Sequence, residues 1–104
     1  MKTLKLTLKK QWFDLIKSGV KLEEYREIKP YWQNRLLYWP LDEIRPFSHV
    51  QFTNGYSANS PRITVECKGI WIGSGRPEWG AVEGVTYFVI ELGEVLSNNN
   101  TEIL

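Results

Sequence analysis

Hydrophobic and polar residues alternate in the first stretch of the chain. Residues 3–8 carry leucine at every second position, with threonine or lysine between. Successive side chains of a strand point to opposite faces, so the leucines share one face and the polar residues the other. The pattern predicts a strand that is buried on one side.

The apolar spacing then becomes that of a short helix over residues 9–18, which Gly19 would end in a left-handed conformation. A second helix is predicted from Pro30, whose fixed φ suits a first helical turn, to Pro40, which cannot continue a helix. The residues predicted to pack against the core are Trp12, Phe13, Leu15 and Ile16 in the first helix and Trp32, Leu36 and Trp39 in the second.

The segment between the helices predicts a strand with an unusual face. Its even positions are Leu22, Glu24, Arg26 and Ile28, so two charged side chains share a face with two apolar ones. Charges on an apolar face are costly unless they are paired, so we expect Glu24 and Arg26 to form an ion pair on the inner face. The pair is either purely structural or part of a polar cluster at a pocket mouth, to which Lys21 would add a mobile ammonium group.

Three more strands are predicted in the second half, over residues 49–53, 63–67 and 86–92. Gly69 breaks the alternation of the middle one. A bulge there would place Ile70 and Ile72 inward and turn Trp71 outward or toward a cleft.

A glycine-rich loop, Gly73 to Gly84, precedes the last strand. Loops of this length are uncommon in small domains and are often functional. The loop is either a flexible connection or a segment that presents Arg76, Glu78 and Trp79 to a ligand.

The order of elements predicts an α+β domain in which a small barrel-like sheet of about five or six strands is flanked by two short helices. The 104 residues, 42% of them hydrophobic and 24% charged, suit one folded domain. We place it at residues 1–96, with 97–104 as a flexible C-terminal tail.

Composition narrows the chemistry. The single Cys67 and single His49 cannot form a disulfide framework or a Cys/His zinc cluster within one chain, and Cys67 follows the inward alternation of its strand. We therefore expect no metal and no cofactor. No apolar run approaches the ~18 residues of a membrane span, so we expect a cytoplasmic protein without a membrane partner.

Charge is unevenly distributed along the chain. Residues 1–35 hold nine Lys or Arg against four Asp or Glu, whereas residues 36–104 hold four against eight. A polyanion should therefore meet the N-terminal third first. Trp71 and Trp79 lie outside the predicted helices and are candidates for stacking on unpaired bases.

The run Gly19-Val20-Lys21-Leu22-Glu23-Glu24-Tyr25-Arg26 resembles the G-x-K-x-x-E-x-R signature of ASCH domains, which belong to the PUA-like superfamily. The leucine-rich first strand, the helix ending in Ser-Gly and the segment from Tyr87 to Glu94 are also similar, so the resemblance extends to about Leu96. It implies a PUA-like β-barrel whose signature borders a cleft for RNA or nucleotides.

Small stand-alone bacterial or phage ASCH proteins of similar length include amidohydrolases that remove the acetyl group from acetylcytidine with a lysine, a threonine and a glutamate. Lys21 matches the lysine. Glu24 stands at the threonine position, and Glu78 is the positional counterpart of the glutamate, in a loop shorter than the family's helical insertion.

Two functions from different classes follow. The favoured one is an RNA- or nucleotide-binding module, with binding residues Lys21, Glu24, Arg26, Arg76, Trp71 and Trp79. The alternative is a metal-independent amidohydrolase acting on a modified pyrimidine nucleoside, in which Glu24 or Glu78 activates water and Lys21 stabilises the oxyanion. A broad basic surface would favour a polymer, and a closed pocket the size of one base would favour the enzyme. A protein-interaction domain with exposed tryptophans is the weakest interpretation.

Overall fold

The computed structural model describes residues 2–38 and 42–99, which form a mixed α+β fold. A 3-10 turn, Pro77–Trp79, precedes the last strand. The elements are β1 (Thr3–Thr7), α1 (Lys10–Lys17), β2 (Glu23–Glu27), α2 (Pro30–Leu36), β3 (Leu37–Tyr38), β4 (Glu43–Ile44), β5 (His49–Thr53), β6 (Arg62–Ser74) and β7 (Thr86–Asn99).

Five strands form one curled sheet, a half-barrel, in the order β1-β5-β6-β7-β2. Only the β1–β5 pair is parallel. The long strands β6 and β7 shift register at three places between Thr64 and Gly69, and such bulges increase the local twist of a sheet. The predicted α+β fold with two helices is therefore confirmed, and the barrel-like sheet that was predicted is a half-barrel. β3 and β4 form a separate two-stranded ribbon.

The main core packs side chains of this sheet against side chains of the two helices. Alternation in β1 is confirmed, because Leu4, Leu6 and Leu8 are all buried. The helices and the other strands add these buried side chains: Phe13, Ile16, Leu36, Val50, Phe52, Ile63, Val65, Phe88, Ile90 and Leu92. Cys67 is also buried, as predicted.

A second, smaller cluster consists of Tyr25, Ala81, Tyr87 and Val89, with Trp79 packed against it. Tyr25 on β2 pairs with Val89 on β7, which belongs to this second cluster. The preceding residue, Glu24, pairs with Ile90, which belongs to the main core. Adjacent residues of a strand point to opposite faces, so β2 is buried on both. The segment after β6 supplies the cover on the second face.

The second helix is shorter than predicted. It ends at Leu36, and Leu37 has extended φ and ψ of −114° and 155° and pairs with Ile44. Burial of Leu37 against the core favours this ribbon over another helical turn. Leu36 is buried as predicted, whereas Trp39 and Pro40 lie outside the described residues.

The bulge at Gly69 is confirmed by the register shift between Cys67 and Gly69. Ile70 and Ile72 pair with Ile90 and Phe88 of the main core and therefore share their face, as predicted, and Trp71 is exposed. Ile72 is nevertheless 54% exposed. β5 pairs with β6 only as far as Glu66. Past that point, no strand of the described residues pairs with β6 on its β5 side.

The last strand is longer than predicted. β7 continues past Leu92 and Leu96 to Asn99, which pairs with Arg62 at the start of β6. Residues 97–99, placed in the predicted tail, therefore belong to the sheet, and the rest of that tail lies outside the described residues. No helix in the described part of the chain is long and apolar enough to cross a membrane.

Candidate functional site

Three charged side chains of the signature meet at the start of β2. The Lys21 Nζ lies 3.1 Å from the Glu24 Oε1, and the Arg26 Nη1 pairs with the Glu24 Oε2. The predicted pair of Glu24 and Arg26 is therefore confirmed. Each Glu24 oxygen binds one cation, and its side chain is only 7% exposed.

Lys21 is the most deeply buried charged residue of this cluster, with 1% of its surface exposed. Its Nζ donates a hydrogen bond to the Trp79 carbonyl oxygen at 2.5 Å and lies 5.1 and 4.9 Å from the ring centroids of Trp12 and Tyr25. Burial lowers the pKa of Lys21, although the Glu24 carboxylate opposes that shift. The prediction of a mobile ammonium group is wrong, because a carbonyl, a carboxylate and two rings enclose it.

The turn after α1 explains how Lys21 reaches this position. Gly19 has φ of +82°, a conformation that glycine adopts without steric cost, and ends the helix as predicted. The amides of Val20 and Lys21 then both donate to the Leu15 carbonyl oxygen. The chain is folded back against α1, so the Lys21 side chain enters the space between α1 and β2.

Two tyrosines hold the segment between β6 and β7 against the sheet. The Tyr25 hydroxyl accepts from the Arg76 amide at 2.9 Å, and the Tyr87 hydroxyl accepts from the Val82 amide at 3.0 Å. Together with the bond from Lys21 to Trp79, they fix residues 76–82 at three points. Burial also raises the pKa of Tyr25, so its hydroxyl keeps its proton. Sequence reasoning missed both tyrosines; their only signal is a polar tip on otherwise apolar strand positions.

A cleft of about 820 Å³ lies beside the cluster, between β1, α1, β2, α2 and the segment carrying Trp79. Glu24 and Arg26 form part of its wall. Aromatic side chains from six parts of the chain reach it, and the most exposed of them, Tyr56, is 94% exposed. The aromatic residues that line the cleft are Trp12, Tyr25, Tyr31, Trp32, Tyr56, Trp79 and Tyr87.

Cations surround these rings. Lys5, Lys9 and Arg35 line the cleft and have no carboxylate within 4.0 Å among residues 2–38 and 42–99. Arg26 and Arg35 lie 5.1 and 5.5 Å from the ring centroid of Trp32, within the range of a cation–π contact. The cleft therefore combines π-faces with positive charges that pair with no carboxylate of the described residues.

The structure brings together only some of the predicted site residues. Lys21, Glu24, Arg26 and Trp79 meet as described above. Arg76 and Glu78, each 61% exposed, pair with one another at 3.5 Å. Trp71 lies on β6, and none of Trp71, Arg76 and Glu78 is in the wall of the cleft. Glu78 is thus not brought to Lys21 and Glu24.

Among the described residues, no group of three or more His, Cys, Asp or Glu side chains is arranged to hold a metal ion. Comparison of the chain with models of protein families, with curated proteins and with solved structures found no match.

Proposed function

We propose that the chain is a PUA-like domain of the ASCH type that binds single-stranded RNA or its nucleotides in the cleft beside the signature. The observation that carries the proposal is the combination, in the wall of one cleft, of seven aromatic side chains with cations that pair with no carboxylate of the described residues. Bases stack on aromatic rings, and phosphates pair with Lys and Arg, so the cleft offers contacts to both the base and the phosphate of a nucleotide.

The exposed rim of the cleft, rather than its volume, supports a chain of nucleotides over a single enclosed base. Small-molecule pockets occupy ~300–1,000 Å³, and about 820 Å³ lies near the upper limit of that range. The most exposed ring, Tyr56, stands in solvent at its rim. An unpaired base could stack there without displacing protein.

The buried cluster supports binding over catalysis. Lys21 is enclosed and donates to Trp79, so it would reach a substrate only if residues 76–82 moved. Protonating Glu24, as a general base must be protonated, would weaken two ion pairs in a buried site. The cluster is therefore best suited to supporting one wall of the cleft.

The experiment is a fluorescence-anisotropy titration of a labelled eight-nucleotide oligouridine at low salt. Tyr56→Ala should weaken binding about tenfold, since one stacking contact is worth ~1–3 kcal/mol. Tyr56 is almost wholly exposed, so the fold should tolerate the change. Trp71→Ala is the matched control, because it truncates an exposed ring outside the cleft. Failure of the wild type to bind, or an equal loss in both variants, would contradict the proposal.

A second candidate is the amidohydrolase. One observation favours it: burial lowers the pKa of Lys21, which is the direction required if the lysine, rather than Glu24 or Glu78, is the base. Incubation with acetylcytidine should then release acetate, and Lys21→Met should abolish the release. Tight binding of the nucleoside with no turnover above background would contradict the amidohydrolase and be consistent with the binding function.

A further inference from the structure

A second cavity of about 340 Å³ adjoins the cleft. Its polar wall consists of Thr3, Lys5, Asn34, Arg35 and Arg45, and no carboxylate is among the described residues that line it. Lys5 and Arg35 line both spaces, so the cavity and the cleft meet at these two cations.

The third cation, Arg45, is held in place by the protein. Its Nε donates to the Leu37 carbonyl oxygen at 2.9 Å, and its guanidinium lies 5.2 Å from the ring centroid of Tyr38. No hydrogen bond from the Arg45 Nη1 is found in the described part of the chain, and no carboxylate lies within 4.0 Å. A guanidinium fixed in this way loses little freedom when it binds an anion.

The two spaces are arranged along one strand. The five residues of β1 span about 13 Å at ~3.3 Å per residue. A stacked nucleic-acid strand advances ~3.4 Å per nucleotide, so several nucleotides fit in that length. Thr3 lies at the cavity end of β1 and Thr7 at the cleft end.

We propose that the second cavity binds a backbone phosphate of the RNA strand whose bases occupy the cleft, so that the strand runs along β1 past Lys5 and Arg35 to Arg45. This inference rests on the proposed function and deepens it. It makes the ligand a polymer of several nucleotides, because a mononucleotide in the cleft would leave Arg45 unused.

The test compares the eight-nucleotide oligouridine with a uridine dinucleotide by the same anisotropy measurement. Arg45→Gln should weaken octamer binding about tenfold, as expected for one charged hydrogen bond, and change dinucleotide binding less than about twofold. The plot of the logarithm of the octamer's association constant against the logarithm of salt concentration should become less steep by ~0.7, the value for one phosphate contact on a single strand. Arg62→Gln removes the same charge outside both spaces and should do neither.

Arg45→Gln also removes the bonds from Arg45 to backbone carbonyl oxygens. A second variant therefore tests the phosphate site without changing those bonds. Thr3→Glu introduces a carboxylate at the exposed cavity end of β1, and Thr3→Gln is its neutral counterpart. The glutamate variant should bind the octamer about tenfold more weakly than the glutamine variant, because the negative carboxylate repels the negative phosphate.

The outcomes separate the two proposals. The phosphate site would be overturned if Tyr56→Ala weakened octamer binding but neither Arg45→Gln nor Thr3→Glu did. The proposed binding in the cleft would then still stand. Equal affinity of the wild type for octamer and dinucleotide would also overturn the phosphate site. A wild type that binds neither ligand would overturn the proposed function and this inference with it.

Discussion

Replacing Arg26 with alanine tests whether the signature's ion pair supports the fold. The substitution removes a guanidinium that pairs with Glu24, donates to the Tyr25 carbonyl oxygen at 2.9 Å and packs on the ring of Trp32. Glu24 would keep only its contact with Lys21. A buried carboxylate would thus lose one of its two partners.

The expected loss follows from burial. Removing one partner of a buried ion pair costs ~3–5 kcal/mol, because the other charge stays in a medium that solvates it poorly. Arg26 and Glu24 are 14% and 7% exposed, which places the pair in this class. The Lys21 ammonium remains 3.1 Å from the carboxylate, so we expect the lower limit, ~3 kcal/mol. That is a large share of the ~5–15 kcal/mol that holds a typical domain folded.

The measurement is urea unfolding at neutral pH, followed by tryptophan fluorescence. Arg76→Ala is a closely matched control, since Arg76 and Glu78 also form a pair two residues apart but are both 61% exposed. Exposed pairs contribute little, so this variant should change the free energy of unfolding by less than ~0.5 kcal/mol.

A loss below ~0.5 kcal/mol for Arg26→Ala would show that solvent replaces the lost partner, and the reasoning from burial would fail. Equal losses in the two variants would refute it as well. A double-mutant cycle with Glu24→Gln checks the assignment, because the two residues should show a coupling energy of at least ~1 kcal/mol.

Three further predictions concern other parts of the same site and core. Between the lowered pKa of Lys21 and the ordinary value of 10.5, the unfolded chain binds a proton that the folded chain has released, so Lys21 makes the free energy of unfolding rise with pH. Urea titrations across that range should therefore show the wild type gaining stability relative to Lys21→Met, and a constant difference would contradict the lowered pKa. Gly80→Ala should cost ~1–2 kcal/mol in thermal unfolding, because Gly80 has φ of +103° and a Cβ there would lie 3.1 Å from Trp12; Gly84→Ala, which meets no atom within 4 Å, should cost less. Burial raises the pKa of the Cys67 thiol, so a disulfide reagent at pH 8 should modify the folded protein far more slowly than the urea-unfolded chain, and equal rates would show that the thiol is accessible.

Much of the fold could be predicted from local patterns. The alternation of leucines in β1 and the glycine after α1 act over a few residues, and the structure agrees with both. The pair of Glu24 and Arg26 was also predictable, because side chains two apart on a strand share a face and opposite charges there need each other. In these cases neighbouring residues alone decide the outcome.

The length of α2 and the ends of the last strand depended on partners elsewhere in the chain. Leu37 leaves the helix because Ile44 pairs with it, and β7 continues to Asn99 because β6 begins at Arg62. Each outcome depends on a neighbouring strand that lies too far along the chain for the local sequence pattern to indicate.

For the candidate site, the sequence by itself determined which charged residues the signature brings together, because Lys21, Glu24 and Arg26 lie within six positions. Only the tertiary structure decided that Lys21 is enclosed, since its cover is the Trp79 carbonyl, 58 residues away along the chain. Tertiary structure also decided that Trp79 reaches the cleft while Trp71, Arg76 and Glu78 do not. The physical reason is that burial and electrostatic environment depend on which distant surfaces pack together, whereas local pairing depends on strand and helix geometry, which short-range sequence specifies.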